Sequence, residues 1–176
     1  MVDRELGPLG ALVNNAGTTG RASRLVDLDA ATLREVLEVN ISGYFLCARE
    51  AIRRMSTRHG GAGGAIVNVS SRAAVLGGAG EWIHYAASKA AIDIMTIGLA
   101  REVGGEGIRV NAVRPGLIDT EIHGSAGAAD RIEKLLLNVP MGRIGRPDEV
   151  AATIIWLLSA KVPYVSGAIV DISGAR

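Results

Sequence analysis

The sequence predicts an α/β fold in which short parallel strands alternate with longer helices. Four short runs rich in β-branched residues are bounded by Gly, Pro, Asn or Ser, a pattern typical of buried parallel strands. They cover residues 10–17, 64–71, 108–116 and 167–174. Apolar residues at helical spacing fill the intervals between them. Strands and helices in alternation favour one parallel sheet with right-handed crossovers and helices on its faces.

Three helices are predicted between the strands. The first runs from about Asp29 to Met55, and the second occupies the apolar stretch of residues 80–100. The third begins at Pro147, which suits a first helical position, and two acidic residues follow it at the positive end of the helix dipole. The interval between Pro115 and Pro147 breaks the pattern with scattered glycines, and a loop of that length is typical of an active-site lid.

Length, charge and cysteine content limit the possible classes of protein. The chain has 176 residues, 48% of them apolar, which predicts a single domain over residues 1–176. Its 19 basic and 18 acidic residues give no field that would attract nucleic acid or an anionic membrane. Cys47 is the only cysteine, which fits a reducing, cytoplasmic setting and excludes a cysteine-based metal cage. The longest apolar run, residues 150–158, is too short to cross a bilayer.

Small residues and side-chain hydrogen bonders follow three of the predicted strands. In an open α/β sheet, ligands bind beyond the carboxyl ends of the strands. These positions therefore predict a site where a flat ligand approaches the backbone. The residues are Asn14, Asn15, Ala16 and Gly17 after the first strand, Ser70 and Ser71 after the second, and Pro115, Gly116 and Thr120 after the third.

Tyr85 and Lys89 stand four residues apart at the start of the second helix. Residues at this spacing share a helix face, so the ammonium lies near the phenol and favours the phenolate. A tyrosine with a lowered pKa is able to exchange a proton with an alcohol or a ketone near neutral pH. The pair alone occurs by chance too often to decide a function, and the whole set of motifs carries the interpretation.

That set resembles the classical short-chain dehydrogenase/reductase family along the whole chain. The matching segments, in order, are LVNNAG, LEVNISGYFLCARE, IVNVSS, YAASKAA, IRVNAVRPGLIDTE, GRPDEVA and VSGAIVDISG. The resemblance is to the branch that contains glucose/ribitol dehydrogenases and 3-oxoacyl-carrier-protein reductases. It implies a Rossmann-like parallel sheet with flanking helices, NAD or NADP as cofactor, and interconversion of a small secondary alcohol and a ketone.

The resemblance also implies a role for each matching residue. Tyr85 would be the catalytic acid/base and Ser71 would hold the substrate oxygen. Lys89 would lower the pKa of the tyrosine and bind the nicotinamide ribose, while Asn40 would complete a proton relay to solvent. The expected cofactor-binding residues are Asn14, Asn15, Ala16, Gly17, Tyr85, Lys89, Pro115, Gly116, Ile118 and Thr120.

Several nearby residues are open to a structural interpretation. Ser71 lies 14 residues before Tyr85, one more than is usual in the family, which leaves Ser70 as a weaker alternative. His84 is interpreted as a pocket or surface histidine, because the pair of Tyr85 and Lys89 leaves it no necessary role. Glu81 and Trp82 either contact the substrate or pack the loop.

The glycine-rich turn that binds the cofactor pyrophosphate in this family is not found in the sequence. The chain is therefore expected to lack the first three strands of the family fold, which leaves the first strand here with an open apolar edge. Two alternatives to an enzyme follow: a non-catalytic subunit that docks onto a complete relative, and a gene model with a misplaced start. The second helix packs against another subunit in the family, so a homodimer or homotetramer is expected.

Overall fold

The computed structural model describes Glu5 and residues 7–120 and 135–176. Their strands form one parallel sheet in the order β1-β2-β3-β4. The register places Asn14 opposite Asn68, and Asn68 opposite Ala112. The predicted parallel sheet with flanking helices is confirmed. Its strands are β1 (Ala11–Asn14), β2 (Gly64–Val69), β3 (Ile108–Pro115) and β4 (Ile169–Ile172).

The first predicted helix is interrupted by one wide turn. Asp29 caps it by accepting a hydrogen bond from the backbone N–H of Thr32. The chain then runs through α1 (Ala30–Leu37), a π-helical segment (Glu38–Ser42) and α2 (Gly43–Met55). Wide turns of this kind cluster at functional sites, and this one contains Asn40.

The second and third predicted helices are confirmed, and the structure adds a short helix before the second that the sequence does not predict. A short helix, α3 (Ala73–Leu76), precedes α4 (Ile83–Val103), and α5 (Pro147–Leu158) begins at the predicted proline. Single 3-10 turns lie at Leu25–Asp27, Thr57–His59 and Gly104–Glu106. Residues 121–134 of the predicted lid lie outside the described residues.

The central strands are buried on both faces. Ile66 and Val110 pack with Met55 of α2 and Val103 of α4 on one side of the sheet. Val67 and Val113 pack with Leu157 of α5 on the other side. This arrangement explains the continuous apolar runs of β2 and β3, because a strand covered by helices on both faces has no polar side.

Two apolar surfaces remain uncovered in the described part of the chain. The β1 strand pairs only with β2, and its Val13 is 39% exposed, as expected for an open edge. The second surface is on α4, where Ile92 and Met95 are buried but Ile94 is 69% exposed in the single chain. Among the described helices, none combines the length and apolarity needed to cross a membrane.

Candidate active site

An open cleft of about 1040 Å³ lies beyond the carboxyl ends of β1, β2 and β3. This is the edge of the sheet at which the sequence predicts a site. Of the predicted site residues, Asn14 and Asn40 are not part of the cleft wall. The predicted residues that do line it are Asn15, Ala16, Gly17, Ser71, Tyr85, Lys89, Pro115, Gly116, Ile118 and Thr120.

Tyr85 lies in the first turn of α4, where its phenol meets Ser71 from the end of β2. The Ser71 side chain forms a hydrogen bond with the phenol, and its oxygen also accepts the backbone N–H of Ala73 at 3.1 Å. The Ser70 hydroxyl, in contrast, donates to the backbone carbonyl of Lys89 at 3.1 Å. Ser71 therefore lies next to Tyr85, whereas the Ser70 hydroxyl is bonded to the backbone of α4.

The pKa of Tyr85 lies above its ordinary value because burial disfavours the phenolate, although the hydrogen bond from Ser71 acts in the opposite direction. The expectation that Lys89 brings this pKa below its ordinary value is wrong for the chain alone. The Lys89 ammonium is 5.9 Å from the centre of the Tyr85 ring, and desolvation is the larger effect. Tyr85 is consequently a neutral proton donor at physiological pH.

Lys89 is buried behind the cleft floor, with 3% of its surface exposed. Its ammonium donates to the backbone carbonyl of Val69 at 2.8 Å and to the hydroxyl of Tyr44 at 3.2 Å. Burial lowers the pKa of Lys89 to about 8, and the negative charge of Asp93 opposes this change. An ammonium has three N–H donors, so one donor remains beyond these two contacts.

Asn40 joins the segment after β1 to the start of α4. Its side-chain oxygen accepts the backbone N–H of Thr18 at 2.9 Å, and its amide donates to the carbonyl of Thr18 and to the hydroxyl of Ser88, both at 2.9 Å. Ser88 in turn donates to the carbonyl of Tyr85 at 2.7 Å. In the described structure these contacts hold the backbone around the site, and none of them reaches Lys89.

Asn14 faces the protein interior instead of the cleft. Its amide donates to the side-chain oxygen of Asn68 at 2.9 Å, and the Asn68 amide donates to the hydroxyl of Thr96 at 2.9 Å. This buried polar row ties the end of β1 to β2 and α4. The side chain of Asn14 is therefore turned away from the cleft, whereas Asn15, Ala16 and Gly17 line it.

Gly17 permits a close approach between the backbone and two site residues. A β-carbon at this position would lie 3.3 Å from the Lys89 nitrogen and 3.4 Å from the Asn40 side-chain oxygen. His84, which is buried, places its Nε2 3.0 Å from the carbonyl of Thr19. His84 does not line the cleft and is not on the surface, so its interpretation as a pocket or surface histidine is wrong; it packs against the loop after β1. Trp82 also donates to the carbonyl of Gly20 at 3.3 Å, so it packs the loop as well as lining the cleft.

Tyr44 is a site residue that the sequence analysis missed. It lies four residues after Asn40, so the two share one face of the helical segment that follows α1. Its hydroxyl donates to the carbonyl of Val69 at 3.0 Å and accepts from Lys89. The sequence signal that identifies Tyr44 is a tyrosine four residues after Asn40 on the buried face of a helix.

Metal-dependent chemistry has no support from a ligand cluster: in the ranges 7–120 and 135–176, no group of three or more His, Cys, Asp or Glu side chains is suited to hold an ion. The charged residues at the back of the site pair with each other instead. Arg114 pairs with Asp93 at 2.9 Å, and Arg72 pairs with Asp171 at 2.7 Å.

This chain is similar in sequence to known oxidoreductases over nearly its whole length. A family model described as enoyl-(acyl carrier protein) reductase matches residues 1–174. The uncharacterized oxidoreductase YgfF of Escherichia coli (strain K12) is 51% identical over 175 residues, covering 99% of this chain and 71% of that protein. A glucose and ribitol dehydrogenase homolog of Oryza sativa subsp. japonica is 37% identical over 171 residues, covering 96% of this chain and 57% of that protein.

Among solved structures, a blue fluorescent protein from a metagenomic library in complex with NADPH is similar to this chain. The two superpose with a TM-score of 0.88 at 31% sequence identity, covering 98% of this chain and 67% of that one. This chain therefore spans between about 57 and 71% of the length of these three proteins.

Proposed function

Because this chain belongs to the classical short-chain dehydrogenase/reductase family of oxidoreductases, we propose that its catalytic residues serve the interconversion of a secondary alcohol and a ketone by NAD(P)-dependent hydride transfer. One observation carries the proposal. The phenol of Tyr85 and the hydroxyl of Ser71 line the same cleft, and the Lys89 ammonium lies 5.9 Å from the centre of the Tyr85 ring. These are the groups needed to hold a substrate oxygen and exchange a proton with it.

The cleft wall fits the nicotinamide end of a dinucleotide. Asn15, Ala16 and Gly17 line one part of it, and Pro115 to Thr120 contribute a second part. At Gly17 the Lys89 ammonium and the Asn40 side-chain oxygen come close to the backbone, because no β-carbon separates them. The remaining N–H of Lys89 would bind a ribose hydroxyl. When bound, the nicotinamide supplies the hydride acceptor or donor.

Ser71, Tyr85 and Lys89 would have different roles at the substrate oxygen. Ser71 would donate to or accept from that oxygen and fix its position next to the phenol. Tyr85 would give its proton to a ketone oxygen, which suits its raised pKa and neutral form. In the reverse direction Tyr85, as the phenolate that Lys89 stabilises, would take the proton of an alcohol and return to the neutral phenol.

A screen of sugars, polyols and β-ketoacyl thioesters with NADH and NADPH tests the proposal in the intact protein. The measurement is the absorbance of the reduced cofactor. We expect turnover with at least one alcohol or ketone, and loss of that turnover in Ser71→Ala. Tyr164→Phe is the matched control, because Tyr164 is fully exposed on the surface. Turnover that is equal in Ser71→Ala and Tyr164→Phe would contradict the assignment of the site.

Exposed apolar side chains support assembly as a homodimer or homotetramer. The exposed side chains on the helices include Phe45 and Leu46 of α2, Ile94 of α4, and Ile155 and Trp156 of α5. Exposed apolar patches on a folded protein mark interaction surfaces. Residues 1–176 would act within each subunit as a single domain. Light scattering tests the assembly, and a monomer at micromolar concentration would contradict it.

A further inference from the structure

Tyr44 and Lys89 meet below the cleft floor in a closed arrangement of three groups. The Tyr44 hydroxyl donates to the carbonyl of Val69 at 3.0 Å. The Lys89 ammonium donates to that same carbonyl at 2.8 Å and to the Tyr44 hydroxyl at 3.2 Å. Tyr44 is only 2% exposed, so these bonds do not compete with bulk water.

We propose that Tyr44 is a positioning residue that fixes the Lys89 ammonium beneath Tyr85. Its effect on catalysis rests on the function proposed above, whereas its effect on Lys89 does not. Tyr44 would act through Lys89 alone, by giving the buried cation a second acceptor besides the Val69 carbonyl. The third N–H of the ammonium is then left for a bound ligand.

The local fold explains why Tyr44 reaches this position. The π-helical segment Glu38–Ser42 directly precedes α2. Asn40 of this segment and Tyr44 of α2, four residues apart, both lie on the face that meets α4. Asn40 contacts Ser88, while Tyr44 contacts Lys89. Two neighbouring residues of α4 are thus held by two residues one turn apart on the facing helix.

The hydroxyl and the ring of Tyr44 have separable roles. The ring packs with Ala48, Ile92 and Met95, and its centre lies 5.0 Å from the Lys89 nitrogen. A phenylalanine would keep this packing and the attraction between the cation and the ring face. It would remove only the hydrogen-bond acceptor. Tyr44→Phe is therefore a test of the hydroxyl.

The other charged and titratable groups around Lys89 are few. Asp93 follows it by one turn on α4 and favours the protonated form, but Arg114 of β3 pairs with Asp93 at 2.9 Å. Tyr85 lies on the same helix, with its ring centre 5.9 Å away. Since the Asp93 carboxylate is already paired with Arg114, loss of the Tyr44 acceptor would lower the pKa of the Lys89 ammonium.

NMR of the intact protein labelled with ¹³C at lysine Cε measures this effect without substrate or cofactor. The sequence has three lysines, Lys89, Lys134 and Lys161, and a Lys89→Met variant assigns the signal. Burial places the pKa of Lys89 at about 8. In Tyr44→Phe we expect its acid dissociation constant to rise about tenfold or more, as expected when a buried charge loses one hydrogen bond. Tyr164→Phe is the control and should leave the titration unchanged.

An unchanged Lys89 titration in folded Tyr44→Phe would overturn the proposal. If that variant does not fold, cross-relaxation between the Lys89 ε-methylene and the Tyr44 ring protons in the unaltered protein decides instead, and its absence would overturn the contact. Once a substrate is identified, the pH profile of kcat/KM should shift in Tyr44→Phe in the same direction as the Lys89 titration. Because the NMR titration needs no turnover, failure of the proposed reaction and failure of this inference are distinguishable.

Discussion

Replacing Lys89 with methionine should remove a pH dependence of stability that the structure assigns to this residue. Burial lowers the pKa of Lys89 from its ordinary value of 10.5 to about 8. Between these values the unfolded chain holds a proton that the folded protein does not. Unfolding therefore takes up a proton in this range, and the free energy of unfolding rises with pH.

The size of the effect follows from the difference between the two pKa values. At about 1.36 kcal/mol per pH unit, the free energy of unfolding should rise by about 3 kcal/mol through this interval. The buried phenols of Tyr44 and Tyr85 have raised pKa values, so their opposing contribution begins only above their ordinary value of 10.0. The rise due to Lys89 is thus clearest between about pH 8 and pH 10.

Urea denaturation of the intact protein at intervals from pH 7.5 to pH 10 measures this dependence. We expect the free energy of unfolding to rise over this range in the unaltered protein and to be much flatter in Lys89→Met. Lys161→Met is the matched control, because Lys161 is exposed, and it should retain the rise. The same slope in both variants would refute the reasoning, since the pH dependence would then originate elsewhere.

Two substitutions test the catalytic residues and the approach of the backbone. Tyr85→Phe removes one hydroxyl and should lower kcat by at least about 100-fold while leaving the thermal midpoint within a few degrees, and normal turnover would exclude Tyr85 as the acid/base. Gly17→Ala places a β-carbon 3.3 Å from the Lys89 nitrogen and should weaken cofactor binding, measured as a higher KM for the cofactor. Its control is Gly98→Ala, a helical position with no neighbour within 4 Å, which should instead stabilise the fold by about 0.5–1 kcal/mol.

The residues that the sequence places correctly are those whose position follows from the topology. Ser71 and Gly17 follow parallel strands, and the carboxyl ends of such strands meet at one edge of the sheet. Tyr85 and Lys89 join them because their helix begins at that edge. The strands themselves are recognisable because burial on both faces leaves an unbroken apolar run.

The sequence predicts less well the positions of side chains that depend on contacts between distant segments. Asn14 and Asn15 are equivalent in the sequence, but the strand register turns Asn14 towards Asn68. Tyr44 meets Lys89 across 45 residues of sequence, and only the packing of α2 on α4 brings them together. The direction of the change in the pKa of Tyr85 depends on desolvation, which spacing along a helix does not reveal.

The 176-residue chain by itself should bind NADPH no better than it binds a reduced nicotinamide mononucleotide. The adenine and pyrophosphate half of a dinucleotide requires backbone N–H groups at a helix N-terminus that a glycine-rich turn exposes. After β1 the sequence reads AGTTG, which lacks the spacing of such a turn, and the described cleft residues fit the nicotinamide end.

Losing several charge-assisted hydrogen bonds, each contributing about 1.5–3 kcal/mol, should weaken dinucleotide binding by at least about three orders of magnitude. A titration that follows the fluorescence of NADH, NADPH and the mononucleotide tests this. We expect no saturation at micromolar concentration for any of the three. Micromolar binding of NADPH with weak binding of the mononucleotide would show that this chain, or a second copy of it, forms a phosphate site without a glycine-rich turn. In that case missing cofactor contacts would no longer be an argument for a non-catalytic role.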